Sequence, residues 1–294
     1  MYVKHKYSIK EVHLNTWVNI LIVILISTLI VYLYEIEKWT FLAIPVAIPT
    51  ILGTTISLIL AFRTNASYDR WWEARKIWGA IVNDSRSLVR QALVNFDKKE
   101  LEQLANRQIS WNYTLSNNLR AVESKGILEK YLKGDELNFV QKHANQPNSL
   151  LLLHEKQLKK MLDNGTIDTI QYAHMSQTVQ KLCDSMGKCE RLKNTVFPTQ
   201  YGFYIHSTIM VFVISLPFGL MANIDWFAII ITAIVTFLFL TIEHMSIDLQ
   251  KPFDNQPNDT PMTALSRTIE INILQMIGSN ETPAPLEPVD GYLM

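Results

Sequence analysis

Glu243, His244 and Asp248 fall within about one helical turn and carry oxygen and nitrogen donors that a metal ion could use. They stand at the end of an apolar run, where a hydrogen-bonded helix end near lipid headgroups is the better reading. His206 is the one potentially charged group inside such a run, and an ionisable side chain at that depth is a functional candidate. One turn inside the boundary, it reads as a neutral interfacial histidine. Cys183 and Cys189 lie six residues apart in a polar block. On a helix that spacing points them in different directions, so neither an intrahelical disulfide nor a metal pair is favoured. Both are expected as reduced, partly buried thiols in a reducing compartment. No phosphate-binding glycine loop, His-Glu-x-x-His pair or nucleophile elbow occurs. No enzyme activity, cofactor or resident metal is therefore expected. Ion-coupled transporters need buried carboxylates, and the apolar runs of this chain contain none. An apolar wall is compatible instead with a channel that gates by dewetting.

The apolar runs are the elements that must position everything else. The 294 residues carry a formal net charge of zero, which gives no case for a nucleic-acid partner. Hydrophobic residues make up 48% and charged ones 18%, but the two kinds are segregated along the chain. Four stretches are almost free of charge, while Arg63 to Gln200 holds most of it. That division describes a membrane protein with a water-exposed part. Residues 17–34 and 41–62 are each long enough to cross a hydrocarbon core of about 30 Å as a helix. The second run contains Pro45, Pro49 and Gly53, so part of its backbone is expected to bend or loosen, enclosed by protein or lining a pore. The third span is expected from about Tyr201 to Met221 and the fourth from about Trp226 to Ile242, joined by Ala222–Asp225 as a hairpin. Trp17, Trp39 and Trp226 mark span ends, where aromatic rings prefer the interface. No cleavable signal peptide is expected, because the run from Trp17 lacks a small-residue cleavage site after it.

Basic residues set the orientation. Lys4, Lys6 and Lys10 precede the first span, Arg63, Arg70, Arg75 and Lys76 follow the second, and Lys188, Arg191 and Lys193 precede the third. The positive-inside rule then places both termini and the 63–200 block in the cytoplasm of a multi-pass protein of the cell (inner) membrane. The chain divides into residues 1–62 with two spans, a 63–200 cytoplasmic helical region, a 201–247 hairpin, and a 248–294 cytoplasmic segment. Within 63–200, Leu88, Ala92 and Phe96, then Leu101, Leu104 and Ile109, recur at helical spacing. Breaks are expected at Asn145-Gln-Pro-Asn and Asp163-Asn-Gly. A short amphipathic helix is expected over Thr263–Ile277, followed by a Pro-rich extended tail.

The richest segment is Phe62-Arg-Thr-Asn-Ala-Ser-Tyr-Asp-Arg-Trp-Trp-Glu-Ala-Arg-Lys-Ile-Trp-Gly79. Taken alone, it reads as a helix leaving the membrane, with arginines at the headgroups and aromatics as anchors. The run also resembles the signature of the bestrophin family, including its bacterial members, through Arg63, Asn65, Arg70, Trp71, Trp72 and Glu73. The Cys189-Glu-Arg…Phe197-Pro198 approach to the third span agrees with it, as does Lys251-Pro-Phe-Asp-Asn-Gln-Pro-Asn-Asp259 after the fourth.

That resemblance implies an all-α integral membrane protein, a homopentamer in a lipid bilayer that passes monovalent ions through a hydrophobic neck, anions such as chloride being favoured. Counted from Arg70-Trp71-Trp72, the family's three neck positions fall on Thr54, Leu58 and Phe62. Their spacing of four suits one stripe of a helix, and Thr54 departs from the apolar pattern. A second, cytoplasmic aperture is implied at Phe197, which Pro198 restricts to extended conformations. Animal relatives bind calcium through acids after the Pro-Phe pair. Here Gln256, Pro257 and Asn258 stand there instead, and no calcium clasp is expected. A sodium channel of the same fold, a membrane-anchored scaffold and a small-solute carrier are the alternative functions.

Overall fold

The computed structural model describes residues 14–195, 197–289 and 291–293. Lys4, Lys6 and Lys10, used above for orientation, lie outside the described residues. The chain forms two compact units, divided after Arg70, Thr195 and Gln250.

The first unit holds α1 (Leu14–Glu35), the first half of α2 (Ala47–Asn95), α8 (Thr199–Ile224) and α9 (Phe227–Leu249). These helices are long and apolar enough to cross a membrane. In α1, Thr16, Ile20, Val23, Ser27 and Ile30 are buried at spacings of three and four, one inward stripe. Leu21, Leu25 and Leu29 on its other side are more than half exposed, an outward face suited to hydrocarbon. The polar residue Ser27 therefore points inward, where a neighbouring helix and not lipid surrounds it. The α1 helix packs on α8 and α9, and α8 packs on α9. Trp17, Trp39 and Trp226 are each more than 40% exposed at the helix ends, as interfacial anchors should be.

The second span departs from expectation. Phe41 belongs to a short 3-10 turn, Thr40–Leu42, and the helix starts only at Ala47. Pro45 therefore precedes it, and Pro49 occupies its first turn, where a backbone N–H has no intrahelical partner to lose. The loosened backbone falls ahead of the helix, at residues 41–46, and from Ala47 α2 runs without interruption to Asn95. The proline inside a spanning helix is Pro217 of α8. Gly219, two residues on, is required for close approach, since a Cβ there would lie 2.6 Å from Pro49 Cγ. A Cβ on Gly53 would lie 2.9 Å from the Phe212 ring. The α8–α9 turn is tight, with Asp225 at a φ of 48°.

The second unit comprises α2 from Trp71, α3 (Lys98–Leu119), α4 (Lys125–Tyr131), α5 (Gly134–Gln141), α6 (Gln146–Asp163), α7 (Thr169–Asn194) and α10 (Met262–Met276). Helix starts are set by side-chain caps. Asp97 accepts the Glu100 N–H at 2.8 Å, Asn145 accepts the Asn148 N–H at 3.0 Å, and Asp168 forms a reciprocal capping box with Gln171. Each such cap contributes about 1 kcal/mol. The α6 helix ends ahead of Gly165 and α10 ahead of Gly278, both in the left-handed region that glycine tolerates. Trp78, Leu88, Leu104, Trp111, Leu115 and Leu158 are fully buried in a single core. Glu270 of α10 is buried there among polar partners. It accepts the Tyr113 hydroxyl at 2.6 Å and the Tyr131 hydroxyl, and pairs with Lys130 and Arg267. Burial alone would raise its carboxyl, but these donors outweigh burial and hold it below the usual range. Cys189 is fully buried and Cys183 half-buried, both as free thiols.

Candidate functional site

At about 100° per residue, Ile56, Leu60, Arg63 and Ser67 share a sector of roughly 60° on α2. All four are buried. Thr54, Leu58 and Phe62 occupy the opposite sector and are exposed, Leu58 at 58% and Phe62 at 64%. Only 11% of the most apolar part of the α2 span is buried within the chain, against 44% for α8. The stripe singled out in the sequence is therefore the face that α2 turns away from its own protomer. Hydroxyls lie on and beside the N-terminal end of this stripe. Thr54 donates to the Thr50 carbonyl at 2.9 Å, Thr50 to Val46 at 2.8 Å, and Ser57 to Gly53 at 2.8 Å. These back-bonds satisfy the hydroxyl protons and leave oxygen lone pairs facing outward.

The buried sector of α2 is clamped to α9. The Arg63 guanidinium, 3% exposed, lies 3.7 Å from the Glu243 carboxylate, also 3% exposed. Glu243 in turn lies 2.9 Å from His206 Nδ1 of α8. Arg63 Nε and Nη1 have no hydrogen-bond partner, so the Glu243 charge is what compensates the guanidinium at that end. One turn on, the Ser67 and Ser246 hydroxyls are 3.2 Å apart, and Gln250 Nε2 donates to Ser67 Oγ at 3.2 Å. Arg70 Nε donates to the Gln250 carbonyl at 3.2 Å.

Three expectations are corrected here. Arg63 is not a headgroup arginine but a buried ion-pair partner. The spanning helices do contain a buried carboxylate, because α9 continues beyond Ile242 and turns Glu243 inward on the stripe of Thr232, Thr236 and Leu240. His206 is bound to that carboxylate. Glu243, His244 and Asp248 do not converge on one point: His244 Nδ1 lies 3.1 Å from Thr16 Oγ1 and 2.8 Å from the Leu240 carbonyl. Among the described residues, no three His, Cys, Asp or Glu side chains are grouped to hold a metal ion.

The remaining signature residues follow along α2. Asn65 is exposed on α2. In the other unit, Trp71 Nε1 donates to the Asn258 carbonyl at 2.7 Å, and the Trp72 ring lies against Trp71 with centroids 6.2 Å apart. Glu73 accepts from Arg191 Nη2 at 2.8 Å. Phe197 sits in the non-helical approach to α8, half-buried, its ring stacked on Tyr201 at 6.0 Å. In the 251–259 segment, Asp254 pairs with Lys193 at 2.6 Å, and the buried Asp259 carboxylate accepts the Gln256 N–H at 3.1 Å. Burial pushes the Asp259 carboxyl up to about 6. Sequence reasoning missed the Arg63–Glu243–His206 cluster. The signal was present in the helical phase: Arg63 falls in register with Ile56 and Leu60, and Glu243 with Thr236 and Leu240.

The family model described as bacterial/fungal bestrophin protein matches residues 7–275. The voltage-dependent anion channel-forming protein YneE of Escherichia coli K12 is 31% identical over 244 residues, covering 83% of this chain and 80% of that protein. The similarly named RSc3414 of Ralstonia nicotianae is 30% identical over 236 residues, covering 78% and 76%. A crystal structure of a bacterial bestrophin homologue from Klebsiella pneumoniae superposes with a TM-score of 0.85 at 26% identity, over 90% of this chain and 99% of that one.

Proposed function

The chain belongs to the bacterial and fungal bestrophin family, and from that membership we propose that it is a passive anion channel, its pore lined by α2. The observation that carries this reading is the exposed stripe of Thr54, Leu58 and Phe62. It lies in a span that its own chain leaves almost uncovered, directly opposite a buried ion pair that fixes the helix orientation. Apolar side chains facing a common axis from several copies would form a constriction that conducts when wetted and closes when it dries. The similarity to channel-forming relatives supports the same conclusion. Phe197, its conformations limited by Pro198, is proposed as a second ring on the same path. The 71–195 unit and both termini are placed on the cytoplasmic side of the inner membrane.

The purified protein in planar bilayers, under a sodium chloride gradient, is expected to reverse near the chloride Nernst potential. Reversal at the sodium potential would reject anion selectivity. Saturable uptake without conductance would point to a carrier, and neither signal to a scaffold. The assembly proposed is a homopentamer, supported by the family membership and by the uncovered face of α2. Light scattering in detergent should give five times the 33.9 kDa chain mass, and a monomer or dimer would remove the ring on which the neck depends.

A further inference from the structure

The face of α2 that carries the neck does not end at Phe62. At about 1.5 Å and 100° per residue, Asp69 lies about 10 Å deeper than Phe62 and within roughly 20° of both Leu58 and Phe62 in rotation. Its carboxylate is exposed and makes no hydrogen bond or ion pair among the described residues. From Ala47 to Arg70, the charged side chains of α2 are Arg63, Asp69 and Arg70. Both arginines point to the opposite side. Arg63 is buried against Glu243, and Arg70 donates to the Gln250 carbonyl. Asp69 is thus the one formal charge that this part of the helix presents on its outward stripe, at the inner mouth of the neck.

We propose that Asp69 is a selectivity-determining residue: repeated around the axis, it forms a ring of carboxylates that depletes anions and enriches cations at the inner mouth of the neck. This rests on the pore axis proposed above. The physics is that of a charged ring beside an apolar, low-dielectric constriction, which focuses the field on the permeating ion. At physiological ionic strength the Debye length is about 8 Å, so the ring acts on ions that pass within about that distance of it. A ring of this kind, screened to that extent, changes the local concentration of a monovalent ion by roughly threefold. The channel's anion preference is accordingly weaker than its neutral neck would allow.

The test is the reversal potential in planar bilayers under a sodium chloride gradient, for the parent, Asp69→Asn and Asp69→Lys. Asp69→Asn should raise the chloride-to-sodium permeability ratio roughly ninefold, threefold from each ion. Asp69→Lys should raise it further. The difference should shrink near 1 M salt, where the Debye length falls to about 3 Å. A version that does not depend on the folding of charge variants uses Asp69→Cys, modified after incorporation into the bilayer. A negatively charged methanethiosulfonate should restore the parent reversal potential, and a positively charged one should move it further toward chloride. The parent, with its native Cys183 and Cys189, is the control. Unchanged reversal potentials in all these variants would overturn the proposal. If Leu58→Ala and Phe62→Ala still alter conduction in that case, only the role of Asp69 fails. If those variants are also silent, the pore axis itself is misplaced and both readings fall.

Discussion

Glu243→Ala should lower the stability of the assembled protein by about 3–5 kcal/mol, because it strands the Arg63 guanidinium in a buried site. Arg63 is 3% exposed and its Nε and Nη1 have no hydrogen-bond acceptor, so no existing hydrogen bond stands in for the lost carboxylate. His206 loses its 2.9 Å partner in the same step. For a chain of this size each kcal/mol corresponds to about 2–4 °C, so the melting temperature in detergent should fall by roughly 10 °C. Glu243→Gln keeps a neutral acceptor for His206 but removes the charge, and should lie between the parent and the alanine variant. The paired change Arg63→Met with Glu243→Met removes the stranded charge altogether and should recover most of the loss. Melting of Glu243→Ala indistinguishable from the parent would mean that the guanidinium is solvated and that the clamp contributes nothing.

The four spans were legible because charge-free stretches of sufficient length are rare and physically unambiguous. Their ends were less so, and for a definite reason. Hydropathy drops sharply at Arg63, yet the backbone ladder of α2 continues to Asn95, because a helix is ended by capping chemistry and not by polarity. The Pro45, Pro49 and Gly53 pattern implies a bent or loosened backbone, without saying where in the span it falls. The prolines mark where the helix begins, after a non-helical stretch at 43–46 and at the positions where proline is tolerated best. In the other unit the helix breaks at Asn145-Gln-Pro-Asn and Asp163-Asn-Gly and the amphipathic α10 were readable locally, since each depends on residues within a turn or two.

The candidate site was legible only on one face. The family pattern placed Thr54, Leu58 and Phe62 along one stripe, and the helix does carry them on its exposed side. What lay outside local reading was the other face. Arg63 and Glu243 are separated by most of the chain, and each alone looks like a polar residue at the end of an apolar run. The phase of each helix puts its charge in register with particular apolar residues, but the neighbouring helices decide that this register is the buried one. The same holds for Trp71, whose indole N–H reaches the Asn258 carbonyl far along the chain. Long-range polar pairs of this kind give orientation to a helix whose apolar side chains alone would allow several rotations.

That orientation is what gives the neck prediction its force. With Arg63 held against Glu243, Leu58 and Phe62 cannot also pack inside their own protomer, and they are left facing the axis of the proposed assembly or a neighbouring copy. Leu58→Ala and Phe62→Ala should each widen an apolar ring and weaken the dewetting barrier. A barrier lowered by about 1.4 kcal/mol raises conduction about tenfold, and the Phe62 variant, losing the larger side chain, should show the greater rise. Because both side chains are more than half exposed in the protomer, truncation should leave the melting temperature close to that of the parent. The two readouts together separate the competing roles. A side chain that packs between copies would lose stability without gaining current, whereas a side chain that obstructs the pore gains current without losing stability. Single-channel recording beside thermal melting of the same preparations decides between them, and variants that conduct like the parent would show that the axis runs elsewhere.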